Sequence, residues 1–245
     1  MCTVTVITGE DGYLLGMNRD ERLTRDHATL PQTAGLRDTV AIYPRDSGQG
    51  TWVAANDRGV ALALLNWNDV RQPVTKLRSR GEVIPALIAH TNWAGVCSAM
   101  ERLDLAGVSP FRLVGVFAEE RVIREWRWDQ LALHAISHAW QKKHWFSSSL
   151  SDASAEEGRS AICGAAWTEA DAGSTTWLRR LHASHGSEPG PFSLCVHRPG
   201  VGTLSYTEIR VTHEKTEMGY AAGSPCRTRS PLLSFSLERL SCSSV

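Results

Sequence analysis

Residues 2–8, CTVTVIT, alternate along a β-branched run with a period of two, the pattern of a strand. Gly9-Glu10-Asp11-Gly12 carries turn chemistry, and residues 13–17 read as the returning strand of a hairpin. A second hairpin is expected in GQGTWVAANDRGVALALLNWNDV, where residues 51–55 and 60–65 are apolar runs joined by Asn56-Asp57-Arg58-Gly59. The run ALALL lacks alternation, so its strand should be covered on both faces, central in a sheet. Residues 22–48 are broken by Pro31, Gly35, Pro44 and Gly48 and predict a long irregular segment around a short strand at 40–43.

From about Ser79 the period becomes helical. Val83, Leu87, Ala94 and Cys97 recur at helix spacing, and Pro85 places the start near residues 80–81. The segment is long enough for two helices parted around residues 91–95. Strand-like runs follow at 111–118, 121–127 and 131–139, with Trp126 and Trp128 alternating with charge. Residues 151–162 read as a capped helix and residues 174–185 as another. Residues 192–197 and 203–211 are expected to pair through Pro199-Gly200, and 216–222 to form a last strand; the Ser- and Arg-rich tail receives no assignment. No repeat or linker interrupts this order. The expectation is one α+β domain over residues 1–245, with two antiparallel sheets covered by helices.

Composition narrows the partners. Lys+Arg and Asp+Glu are 26 each, which gives no electrostatic reason to expect nucleic acid or an anionic membrane surface. No apolar run approaches the ~18 residues that span a bilayer. With no basic-then-apolar leader, the chain reads as cytoplasmic. The six cysteines (Cys2, Cys97, Cys163, Cys195, Cys226 and Cys242) form no C-x-x-C pair and read as reduced thiols, not as a disulfide frame or zinc site. His134, His138 and His144 lack zinc-motif spacing, so no metal and no cofactor is expected.

The candidate chemistry sits in the first hairpin. Cys2 follows Met1 directly, and a residue this small normally permits removal of the methionine. The mature chain would then open on a residue carrying both an amine that titrates near ~8 and a thiol that titrates near ~8.5, an arrangement in which the amine can activate the nucleophile. An antiparallel hairpin brings Asn18-Arg19-Asp20-Glu21 back beside Cys2. There Arg19 would stabilise a thiolate, and Asp20 would hold the ammonium or take its proton. Asn66, at the end of the buried strand, is a candidate oxyanion donor, a role worth ~2.7–4 kcal/mol in known enzymes. Asn18, Trp67, Ser148 and Ser149 are the candidate substrate contacts, the two serines because WFSSSL passes from apolar to polar as a pocket wall does.

The start MCT, the segment GMNRDE, the block GTWVAANDRGVALALLN and the SRG after it resemble the NRDE family, also called transport-and-Golgi-organisation-2-like; the likeness returns weakly at SLCVHRP and TLSYTEIRV. More distantly, the same blocks are similar to cysteine N-terminal-nucleophile (Ntn) hydrolases of the bile-salt hydrolase and penicillin-acylase type. That resemblance implies a four-layer αββα sandwich. It also implies Cys2 as nucleophile, its own amine as base, Asp20 as partner of the amine and Asn66 as oxyanion donor. The implied activity is amide C–N hydrolysis or acyl transfer on a small-molecule amide, acyl or thioester substrate after loss of Met1. A second implied reading is a non-catalytic haem or lipid carrier on the same fold, and a homo-oligomer is compatible with either. The chain departs from the hydrolase pattern in three places. Met17 stands where those enzymes carry Arg, no Asn occurs at residues 147–149, and no C-terminal Arg is evident.

Overall fold

Alternation along the strands decides the layering, and every named strand pairs antiparallel with its neighbours. The computed structural model describes residues 2–26, 28–70 and 77–240. The expectations for Met1 and Cys242 fall outside that set. The strands are β1 (Cys2–Thr8), β2 (Tyr13–Arg22), β3 (Gln32–Leu36), β4 (Thr39–Tyr43), β5 (Val53–Asn56), β6 (Val60–Asn66) and β7 (Phe111–Phe117). They continue with β8 (Val122–Trp128), β9 (Leu133–His138), β10 (Lys143–Ser147), β11 (His197–Arg198), β12 (Val201–Val211), β13 (Lys215–Ala222) and β14 (Leu233–Glu238). The helices are α1 (Val83–Leu87), α2 (Trp93–Arg102), α3 (Asp152–Ala166) and α4 (Thr175–His182).

One sheet runs β10-β1-β2-β12-β13-β14, with β11 on β12, and the other is a plain meander from β3 to β9. Val4, Leu15 and Met17 of the first sheet interleave with Val53, Ala63, Leu65 and Val114 of the second in one apolar layer. The far face of the meander carries α1 and α2 through Val83, Leu87, Val96 and Met100. The far face of the first sheet carries α3 and α4 through Ala155, Cys163, Trp177 and Leu178. The result is a four-layer αββα sandwich. β6 lies in the middle of its sheet and is buried on both faces, as its unbroken apolar run required.

Four segments depart from the sequence pattern. Part of the irregular stretch 22–48 closes into the hairpin β3–β4. Residues 145–150 read as a pocket-lining transition, and their first three belong to an edge strand, residues 143–147, paired with β1. Of residues 192–197 only His197 pairs, because Cys195 N–H donates to Ser184 O and Val196 N–H to the Thr203 hydroxyl instead of a ladder. The tail adds β14, whose Phe235 and Leu237 reach the inter-sheet layer.

Trp126 and Trp128 face the helical layer, so the charges alternating with them face the other sheet. Glu125, fully buried there, accepts from Arg112, Arg127, His138 and Trp145, while Arg112 also reaches Phe146 O of β10. Although burial raises it, the Arg127, Arg112 and His138 donors hold this carboxyl down at about 2. Removing one partner of a buried ionic cluster strands the others. Glu125→Gln is therefore expected to cost about 3 kcal/mol in urea unfolding; a loss within error of zero would show that the cluster does not clamp the sheets.

Candidate active site

Pairing register puts the candidate residues together. Cys2 lies opposite Arg19 across the β1–β2 ladder, so both side chains emerge on the inter-sheet face, while Asn18 and Asp20 point the other way. A cavity of about 340 Å³ opens where the start of β1 meets the ends of β2 and β6; Cys2, Arg19, Asp20 and Asn66 all line it. The Arg19 guanidinium stacks over Trp52 at 4.2 Å, a cation–π contact that fixes it beside the thiol.

Two glycines set the opposite wall. A Cβ on Gly50 would lie 2.9 Å from the Gly81 Cα, and Thr51 N–H donates to Gly81 O at 3.0 Å, so the GQG and SRG segments pack backbone to backbone. Ser79 caps the turn at residues 80–82, accepting from Gly81 N–H, and aims Arg80 into the cavity. Arg80 also donates to Pro110 O at 2.9 Å. The rim adds Arg25, paired with Asp46 at 3.1 Å, and Arg78, paired with Glu82 and Asp104.

Burial raises the Cys2 thiol, and the Asp20 carboxylate adds to the rise; the Asp20 backbone N–H, donating to the sulfur, and Arg19 oppose it. The Cys2 N–H donates to Ser147 Oγ at 2.9 Å. Behind β1, Asp20 is 1 % exposed, and Thr203 donates to it at 2.6 Å while the Arg159 guanidinium stands 3.7 Å away. Burial raises this carboxyl too, held against by Arg159 first and the Thr203 hydroxyl after it. Arg159 itself is fully buried and donates to Cys2 O, Thr3 Oγ1 and Ser147 O, tying α3 to both strands beside the nucleophile.

Four expected substrate contacts lie elsewhere. Asn18 donates to His182 O and Leu194 O at 2.8 Å each, bracing β2 against α4 on the helical face. Trp67 lies under the Arg127 guanidinium at 5.9 Å and does not line the cavity. Ser148 accepts from Leu150 N–H, and Ser149 from Arg198. Of the serine triplet it is Ser147, on the inner face of β10, that touches Cys2.

Arg159, Arg80, Thr203 and Ser147 were not singled out from the sequence. Arg159 had a readable signal: it sits four residues from both Ala155 and Cys163, on the apolar stripe of its helix. An arginine on such a stripe needs an acid or carbonyl partner. Thr203 and Ser147 had none, since their roles come from pairing across the sheet.

Beneath β1 lies a neutral chain of donors. Trp167 Nε1 donates to His144 Nε2, so His144 carries its proton on Nδ1 and gives it to Thr5 Oγ1, whose hydroxyl donates to His182 Nε2. Burial depresses both rings, His144 to about 4 and His182 to about 3. A base depressed on folding takes up protons in the unfolded chain first, so stability falls as pH drops below ~6.5. Each ring should cost about 2 kcal/mol between pH 7 and 5. Urea unfolding across that range is expected to show a shallower slope for His182→Gln; equal slopes would remove His182 from the account.

An αββα sandwich with a cysteine at the start of its first strand defines the Ntn-hydrolase class of fold. Penicillin V acylase from Agrobacterium tumefaciens matches with a TM-score of 0.54 at 10% identity, over 97% of this chain and 86% of that one. The C2A mutant of conjugated bile acid hydrolase from Clostridium perfringens matches with a TM-score of 0.56 at 9% identity, over 96% and 92%. At those identities the likeness is one of fold. No curated protein matches by sequence. The model of the Transport and Golgi organisation 2 family matches residues 1–175, and the chain belongs to that family.

Proposed function

We propose that the protein is an N-terminal cysteine amidohydrolase or acyltransferase acting on a small polar acyl substrate, after removal of Met1. The observation that carries this reading is the convergence of Cys2, Arg19, Asp20 and Asn66 on one cavity from three separate strand ends. The neighbouring folds, an acylase and a conjugated bile acid hydrolase, support the same reaction class.

In the proposed cycle the α-amine of Cys2 accepts the thiol proton while sulfur attacks the acyl carbon of a C–N amide. The oxyanion takes a hydrogen bond from the Asn66 side-chain amide. The amine then passes its proton to the leaving nitrogen as the C–N bond breaks, leaving a thioester on Cys2. Water, deprotonated by the same amine, or another acceptor releases the acyl group and restores the thiol. Asp20, backed by Arg159 and Thr203, holds the amine in its charged interval.

The cavity wall bears Arg19, Arg25, Arg78 and Arg80 together with the carboxylates Asp20, Glu21 and Asp46, against few apolar side chains, chiefly Trp52, Leu64 and Leu77. Such a mixed-charge wall favours a compact, strongly polar acyl group and offers a flat apolar haem little surface. Haem titration is accordingly expected to leave the Soret band at its free position. A stoichiometric shift would favour the carrier reading.

Intact mass and a thiol-directed acyl probe test the proposal together. The expected result is a chain lacking Met1 and one acyl adduct on the first residue. A retained Met1, or an adduct only on other cysteines, would overturn it.

A further inference from the structure

Away from the cavity, on the side of the first sheet where β11 and the loops around it meet, four metal-binding side chains converge. His185 follows α4, Cys195 precedes β11, His197 lies in β11, and Cys226 lies in the loop after β13. One ligand atom from each lies within 4.8 Å of all the others. His197 Nε2 is 3.6 Å from Cys195 Sγ and 3.2 Å from Cys226 Sγ. The rings of His185 and His197 stand 5.1 Å apart. His185 Nε2 is buried and has no hydrogen-bond partner among the described residues.

We propose that these four residues form a structural Cys2His2 site for Zn²⁺. A tetrahedral zinc with bonds of about 2.3 Å to sulfur and 2.0–2.1 Å to nitrogen puts its ligand atoms about 3.3–3.8 Å apart. The two sulfur–nitrogen distances already lie in or beside that range, and the widest separation closes by about 1 Å. Two thiolates neutralise the divalent charge, and binding releases their two protons. The set is complete with four protein ligands, the pattern of a closed structural site rather than an open catalytic one. The Cys226 backbone N–H already donates to the Cys195 sulfur, the kind of outer contact that orients a thiolate ligand.

The ligands come from three separate segments: the turn after α4, β11 with the residues before it, and the loop after β13. Spacing hides them, because His185-x9-Cys195-x-His197 and a Cys226 twenty-nine residues beyond His197 match no zinc motif. Their neighbours give the clamp a purpose. Thr203 accepts from Val196 N–H and donates to Asp20, and Ser224 donates to Thr203 O. Metal between Cys195, His197 and Cys226 would therefore fix the segments that hold Thr203 against Asp20.

The test uses the untagged full-length chain, purified under reducing conditions without chelator. One zinc per chain is expected by elemental analysis. Replacing zinc with Co²⁺ should give sulfur-to-cobalt charge-transfer absorption and tetrahedral ligand-field bands at one equivalent. Both signals should be lost in Cys226→Ser and weakened in His197→Ala. A wild-type chain that takes up neither Zn²⁺ nor Co²⁺ stoichiometrically would overturn the proposal. So would a Cys195–Cys226 disulfide, found by peptide mass, that persists under the reducing conditions. Neither reading depends on the Cys2 chemistry.

Discussion

Cys2→Ala is expected to bring acyl turnover down to background, a loss of about 10⁴-fold or more by analogy with other removed nucleophiles. The fold should survive it. Cys2 contributes one small side chain to a layer held by Val4, Leu15, Met17, Val53 and Leu65, and the β1 ladder on both sides is made by backbone. Parallel circular dichroism spectra and a Tm close to that of the parent would confirm that only chemistry was removed. A Cys2→Ala chain that turns over the same amide at the parent rate sinks the nucleophile assignment, whatever the other cysteines do. Cys163 is poorly suited to substitute, since burial pushes its thiol up to about 12 on the helical face.

Arg159→Met should unfold more easily by about 3–5 kcal/mol, the range for removing one partner of a buried ion pair. The guanidinium it deletes satisfies Cys2 O, Thr3 Oγ1 and Ser147 O and stands against Asp20. Without it the Asp20 carboxyl rises further, because the largest of the effects that oppose burial is gone. A carboxyl whose folded pKa exceeds its unfolded one binds its proton more tightly in the native state, so stability falls as pH climbs towards that folded pKa. The penalty should therefore be larger at pH 8 than at pH 5, as read by urea unfolding. An equal penalty at both pH values would mean that Asp20 does not feel Arg159, and would demote the arginine to packing.

Much of the sandwich was legible because burial leaves a periodic trace. CTVTVIT and the unbroken ALALL run each announce a strand locally, and both strands are covered on two faces. Asn56-Asp57-Arg58-Gly59 likewise announces its turn, with Gly59 at φ +72°. The strands that went unread are those whose pairing is decided elsewhere. β10 is short and ends on the first of three serines, and it is a strand because the edge of β1 has no other partner on that side. Residues 192–196 had a strand's composition but spend their donors on Ser184 and Thr203.

The sequence by itself determined the opening hairpin, and with it the adjacency of Cys2 to Arg19, because an antiparallel turn of fixed length fixes its register. It also placed Asn66 at the end of a buried strand. Tertiary structure alone decided which way each side chain looks. One residue of offset along β2 sends Arg19 into the cavity over Trp52 and Asn18 into the α4 layer. Only the closed sandwich brings Arg159 from α3 and Arg80 from the SRG turn to the two sides of Cys2, 157 and 78 residues along the chain. Their partners are backbone carbonyls, a hydroxyl and a carboxylate far along the chain, and contacts of that kind leave no period for a sequence to show.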